Sequence, residues 1–164
     1  MKIYQKIVSH LEVFKLEAGF DGKIIHYHAI ASVFTPEKYR GKGYASILLQ
    51  FICGKFENLV LYSDVGTFYE RFGFVVSGSP CITLCVSGAA SVPATFLRKD
   101  HMYDLLEKDR EYNLQKGRSR NIFCPLLSKE MFDWQTRRSL YNFPSNEYFG
   151  CQIDDEYIWW MFAS

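Results

Sequence analysis

Tyr69, His26, His28 and Glu12 are side chains able to carry a proton near a reacting centre, and Arg40, Gly41, Lys42 and Gly43 form the segment best suited to hold an anion. The anion segment is the more specific of the two. Residues 33–45 read Val-Phe-Thr-Pro-Glu-Lys-Tyr-Arg-Gly-Lys-Gly-Tyr-Ala. That is an apolar strand, a short basic loop bearing two glycines, and the start of a helix. Such a loop aims several backbone N–H groups at one point and adds the positive end of a helix dipole, which suits a pyrophosphate. Gly41 and Gly43 let a bulky anion approach the main chain without meeting a Cβ. Arg40 and Lys42 place fixed positive charge beside it. Two glycines and two cations also occur in ordinary turns, so this much does not choose between a site and a loop.

The elements that must position these residues follow from periodicity and punctuation. Residues 11–18 and 24–34 read as strands around a turn at 19–22, an antiparallel hairpin that Pro36 ends. Ala45, Leu48, Leu49, Ile52 and Phe56 recur at helical spacing, which predicts a helix over 43–56. Asn58 closes a turn and 59–62 is a short buried strand, so strand, helix and strand make a right-handed crossover with two parallel strands. A short helix over 67–72 ends at Gly73, and 74–76 and 81–86 read as further strands. From Arg98 onward Asp100 is expected to cap a helix to about Lys116. Residues 116–120 (Lys-Gly-Arg-Ser-Arg) read as a solvated basic loop, Ser128 as the cap of a helix through Met131, Trp134 and Leu140, and 157–162 as a terminal strand. Residues 1–97 are read as a core and 98–164 as a C-terminal extension completing the fold or the acceptor site.

Bulk properties bound the function. A formal charge of +1 over 164 residues gives no basic excess for a broad nucleic-acid face. The five cysteines form no Cys-x-x-Cys pair, which suits reduced thiols in a cytoplasmic protein and no metal. Cys81-x-x-x-Cys85 lies in an apolar run without histidine and reads as core. The uncharged stretch 73–97 is broken by serines, glycines and prolines, so it reads as strands and not as a membrane span. No signal peptide is visible.

Arg40-x-x-Gly43-x-Ala45 opening a helix, after Val-Phe-Thr, resembles the acetyl-coenzyme A loop of the GNAT superfamily of N-acetyltransferases. Phe68-Tyr69-Glu70-Arg71-Phe72-Gly73-Phe74 resembles the family's Phe-Tyr-x-x-x-Gly-Phe segment and stands in the right order behind it. Leu61-Tyr62-Ser63-Asp64-Val65-Gly66, with Ala31-Ser32-Val33-Phe34-Thr35-Pro36 and Tyr44-Ala45-Ser46, is similar in wording to a fungal branch, the lysine N6-acetyltransferases. Trp134-x-x-Arg137 is similar to that branch as well. The resemblance implies an α+β fold with a mixed central sheet whose two parallel strands splay apart. It implies acetyl-coenzyme A as co-substrate, its pantetheine arm pairing with main chain around 32–34 (Val33 and Phe34 foremost) and its pyrophosphate on Arg40, Gly41, Lys42, Gly43, Tyr44 and Ala45.

Acyl transfer to an amine requires a neutral amine, a stabilised oxyanion and a protonated leaving thiolate. Tyr69 matches the tyrosine that protonates the thiolate in many members, and a phenol with a pKa near 10 can do so at neutral pH. The acid role is the reading favoured, and a helix tyrosine packed on the core is the alternative. The base is open: His26 and His28 share one face of the strand entering the cleft, and Glu12 on the neighbouring strand is a comparable candidate. Asp154-Asp155-Glu156 could recognise a cationic substrate or be a solvated turn.

The sequence departs from the family at two places. Many relatives carry an asparagine where this chain has Ser63 and Asp64, either of which could cap the helix instead. The family also places two strands and two helices before the hairpin, whereas about ten residues precede it here. An open edge strand would result, which pairing with a second copy, a homodimer, could complete. The expectation is an acetyltransferase acting on a small primary amine, lysine-like if the branch holds. The alternatives are a non-catalytic remnant or acetyl-coenzyme A-binding module, and a protein or peptide acetyltransferase.

Overall fold

Strand-forming residues on either side of Asp21 and Gly22 fold back on a two-residue turn in which both residues take positive φ, 49° and 70°. This produces strands β1 (His10–Phe20) and β2 (Lys23–Phe34). The computed structural model describes residues 6–77, 93–120 and 122–159. Within them the chain divides into two compact units, one of residues 1–16 and 26–81, the other of residues 17–25 and 82–164. The long arms of the hairpin therefore go with the first unit and its turn end with the second.

In the first unit β2 leads through a 3₁₀ turn, Glu37–Tyr39, into helix α1 (Tyr44–Lys55). Strand β3 (Leu59–Leu61) follows and lies parallel to β2, with His28 opposite Leu59 and Ile30 opposite Leu61. Asn58 turns the chain between them at φ 52°. The strand, helix and parallel strand of the sequence reading are thus present, although Tyr62 falls outside β3 and is 90% exposed. Leu49 and Ile52, on the face predicted for the helix, are buried with Ile30, and Val33, Phe56, Leu59 and Leu61 pack on them. A 3₁₀ helix, Gly66–Phe72, ends on Gly73 in the left-handed region at φ 90°. Residues 74–76 are not a strand: Val75 and Val76 stand exposed without a ladder partner among the described residues. The strand expected at 81–86 lies outside the described residues.

In the second unit β4 (Thr95–Leu97), β6 (Gly150–Ile153) and β7 (Glu156–Trp159) form an antiparallel sheet in the order β4-β6-β7. β5 (Cys124–Leu126) pairs antiparallel with the turn end of β1, Glu17 opposite Leu126. Leu97, Met102, Leu106, Phe132 and Phe149 make the core, with helices α2 (Lys99–Arg120) and α3 (Lys129–Asn142) supplying three of the five. Ser128 caps α3 as expected, its Oγ accepting from the Met131 N–H at 3.2 Å. α2 corrects the sequence reading twice. Asp100 lies in its first turn and not at the cap, where its charge still favours the dipole. The Lys-Gly-Arg-Ser-Arg segment is the helix's last turns and not a loop. Arg118 explains the extension, because its side chain lies over the hairpin turn, where a Cβ on Gly22 would come within 2.5 Å of its Cγ. The terminal strand expected at 157–162 is described as β7 up to Trp159, residues 160–162 lying outside the described residues; Ile158 within it is 62% exposed, so it is less buried than its composition predicts.

Candidate functional site

The parallel pairing of β2 and β3 stops at Ile30 and Leu61 among the described residues, while β2 runs on to Phe34. Residues 31–34 thus have no parallel ladder partner among the described residues, a gap in the ladder on the stretch of β2 that leads into the glycine loop. The other edge of β2 carries a bulge at the same level. A two-residue turn would set Glu12 against Ala31 and His10 against Val33. Instead Ser32 Oγ donates to Glu12 Oε2 at 2.6 Å, and the rings of His10 and Phe34 lie 5.7 Å apart. β2 has gained one residue, and Ser32, at φ 52°, is the residue inserted. The same slip explains why Ile30 and Val33 both face the α1 core, which strict alternation forbids. A non-glycine residue in the left-handed region costs about 1–2 kcal/mol, so the neighbours must enforce it.

Beyond Phe34 the loop is braced by short-range bonds. Tyr39 N–H donates to Pro36 O at 2.8 Å, Arg40 N–H to Glu37 O at 3.0 Å, and Arg40 Nε to Thr35 O at 3.0 Å. Arg40 thus ties the strand exit to the loop besides carrying charge. Gly41 and Gly43 take φ 74° and 79°, and a Cβ at either would meet nothing within 4 Å. The glycines are required by backbone torsion, and the space in front of them is open. Gly43 at the N-cap of α1 makes no side-chain cap bond, as a glycine cannot. Arg71, absent from the sequence candidates, reaches this end of the helix: its Nη2 donates to Ser46 Oγ at 2.8 Å, and its guanidinium lies over Phe68 and Phe72. It stood inside the Phe68–Phe74 motif, but the motif gave it no role.

Tyr69 sits half-buried on the 3₁₀ helix, packed on the α1 cluster with Phe68 and Phe74 edge-on to its ring at 5.0 and 5.9 Å. Burial pushes its phenol above the ordinary value, so it holds its proton at neutral pH. Both earlier readings of Tyr69, core packing and proton donor, are compatible with this position. Ser63 does not cap the 3₁₀ helix. Its Oγ accepts from Val65 N–H at 3.2 Å, one turn upstream, and Val65 at the cap makes no side-chain bond.

His28 is set apart from the gap. It pairs with Leu59 in the closed part of the ladder, donates from Nδ1 to Glu57 O at 3.1 Å and packs its ring 4.6 Å from Phe56. Phe56 follows the far end of α1, and a helix of 12 residues is about 18 Å long. His26 is exposed, and its carbonyl accepts from Asn58 Nδ2. Glu12 alone of the three base candidates stands at the bulge. Asp154 and Asp155 form the exposed turn between β6 and β7 in the second unit, and Glu156, also exposed, opens β7. No group of three or more metal-ligating side chains occurs among the described residues, and no helix there is long and apolar enough to cross a membrane.

Residues 6–76 match the profile of the family described as Acetyltransferase (GNAT) domain. The match takes in the hairpin arms, the gap, the glycine loop and the 3₁₀ helix. A lysine acetyltransferase of Yarrowia lipolytica (strain CLIB 122 / E 150) is 33% identical over 97 aligned positions, which cover 43% of this chain and 25% of the relative. The chain accordingly spans about a quarter of the length of that curated relative. No solved structure matches the chain.

Proposed function

We infer that this chain, whose residues 6–76 match the GNAT acetyltransferase domain family, binds acetyl-coenzyme A and passes its acetyl group to a primary amine. The observation that carries the reading is that the described β2–β3 pairing ends at Ile30 and Leu61 while β2 runs on to Phe34 and into a glycine loop that opens helix α1 at Gly43. An extended pantetheine arm offers amides that could bond the main chain of β2 around Val33 and Phe34, beyond the end of the described β2–β3 ladder. The pyrophosphate would then reach Gly41, Gly43 and the N–H groups of Tyr44 and Ala45, with Arg40 and Lys42 as counter-charge.

At the inner end of the arm the thioester would lie near Ser32. In this reading Tyr69, protonated at neutral pH, would donate to the departing thiolate, and Glu12 would receive the proton of the attacking amine. His28, in the closed ladder, is a less suitable base. Lysine or a lysine-like amine is the acceptor we favour, on the wording shared with lysine acetyltransferases and on the printed name of the Yarrowia relative. A small soluble acceptor in the cytoplasm suits the reduced thiols, and no membrane or nucleic acid enters the reading.

Calorimetric titration with acetyl-coenzyme A tests the cradle. Binding at micromolar strength, about −8 kcal/mol, is expected. Gly43→Glu should abolish it, because the new side chain fills the open space with negative charge. A variant that binds like the parent would show that the loop is not the site. Transfer of labelled acetyl to lysine then tests the reaction, and a chain that binds without transferring would be an acetyl-coenzyme A-binding module.

A further inference from the structure

The bulge sets the Ser32 hydroxyl beside the Glu12 carboxylate at the level of the gap in the ladder, and the Ser32 proton is already committed. Its Oγ donates to Glu12 Oε2 at 2.6 Å, the short distance typical of a hydroxyl bonded to an ionised carboxylate. A serine oxygen that donates once keeps two lone pairs for accepting. Ser32 is exposed, so an incoming N–H can reach those lone pairs, whereas Glu12 is half-buried behind it. The left-handed torsion at Ser32 is what sets this arrangement. On an unbulged strand Ser32 and Glu12 would lie on opposite faces of the sheet.

We infer that the Ser32 hydroxyl is the hand-off point through which the acceptor amine loses its proton to Glu12. The inference rests on the acetyl-transfer reading above. As the neutral amine nitrogen bonds to the thioester carbonyl carbon, the nitrogen becomes acidic. One N–H proton passes to Ser32 Oγ while the Ser32 proton passes to Glu12 Oε2. The C–S bond then breaks, and the sulfur takes the proton that Tyr69 holds. Glu12 afterwards gives its proton to solvent and Tyr69 regains one from it. Ser32 begins and ends as a hydroxyl. The same contact selects the acceptor: an amine must bring an N–H to within hydrogen-bond reach of Ser32 before it can attack.

Steady-state transfer from acetyl-coenzyme A to lysine, with Ser32→Gly, Glu12→Gln and the double variant, tests the relay. Glycine accepts the left-handed torsion better than serine, so Ser32→Gly should fold and melt no lower than the parent. Its kcat should nevertheless fall about 10- to 100-fold, a part of what general-base catalysis supplies, with the KM for acetyl-coenzyme A unchanged. Glu12→Gln keeps an acceptor oxygen for Ser32 and should lose at least as much. Because the serine acts through Glu12, the double variant should be no slower than Glu12→Gln alone. Ser32→Gly turning over at the parental rate would overturn the relay, as would losses that multiply in the double variant. A parent chain that binds but transfers nothing, or does not bind, overturns the acetyl-transfer reading and the relay with it.

Discussion

Gly43, Tyr69 and Ser32 differ in how far their types disclose their positions. Gly43 is readable because a helix start with φ 79° admits few residues besides glycine, and the motif around it fixes the register. Tyr69 is readable as a motif residue, but the sequence could not say whether it packs or reacts. Its half-buried ring and raised pKa serve both. Ser32 was invisible as a side chain, since nothing in Ala-Ser-Val announces an inserted residue. The bulge arises from pairing across the hairpin, a long-range property that local propensity does not encode. The residue that decides between roles is Tyr69. Tyr69→Phe removes one oxygen and leaves the ring contacts in place, so acetyl-coenzyme A should bind as before. Release of free thiol should slow by about 100-fold if the phenol is the acid. Unaltered thiol release, followed with a thiol-reactive dye, would leave Tyr69 with packing alone.

At the level of elements, strands and helices were legible where one face is apolar and both ends are punctuated. β1, β2, α1 and α3 meet that condition, and Ser128 caps α3 as its type predicts. α2 does not meet it at its C-terminal end. Gly117 and a run of cations look like a loop in isolation, yet a helix is extended by the packing of Arg118 over the Asp21–Gly22 turn. Propensity lost to tertiary contact there. A different element carries a sharper test. Gly150 opens β6 at a normal φ, but a Cβ on it would stand 2.8 Å from the Ile158 carbonyl oxygen of β7 and 3.4 Å from Leu97 and Met102 side-chain atoms. Backbone cannot retreat as a side chain can. Gly150→Ala should therefore destabilise by about 1–3 kcal/mol, the range seen for overpacked sites. Thermal melting would show it, while acetyl-coenzyme A binding by the intact folded fraction should persist, since Gly150 belongs to the other unit.

For the whole molecule the two units differ in what holds them and in how that responds to pH. The first is held by the apolar cluster on α1. The second adds a polar knot: Lys99 Nζ lies 2.7 Å from Asp133 Oδ1, Tyr103 OH donates to the same oxygen at 2.8 Å, and Lys129 sits 3.9 Å over the Tyr103 ring. The Lys99 bond, then that of Tyr103, holds the Asp133 carboxyl below its usual range. Its stabilising effect is present above the ordinary carboxylate pKa and is lost as pH falls through the lowered value. The Asp133 bond raises the Lys99 ammonium, so its effect is present below the ordinary lysine pKa and is lost as pH rises through the raised value. Asp133→Asn should flatten both limbs of a plot of melting temperature against pH, and limbs as steep as the parent's would refute the assignment. The gap beside β2 has a consequence for handling the protein as well. The β3-side edge of β2 beyond Ile30, which has no ladder partner among the described residues, invites an extended segment, including one from a neighbouring copy, to add itself as a strand. Whatever fills that slot is competing with self-association. An acyl donor that pairs there would act as a guest chaperone, and concentrated samples would keep longest with the slot already taken.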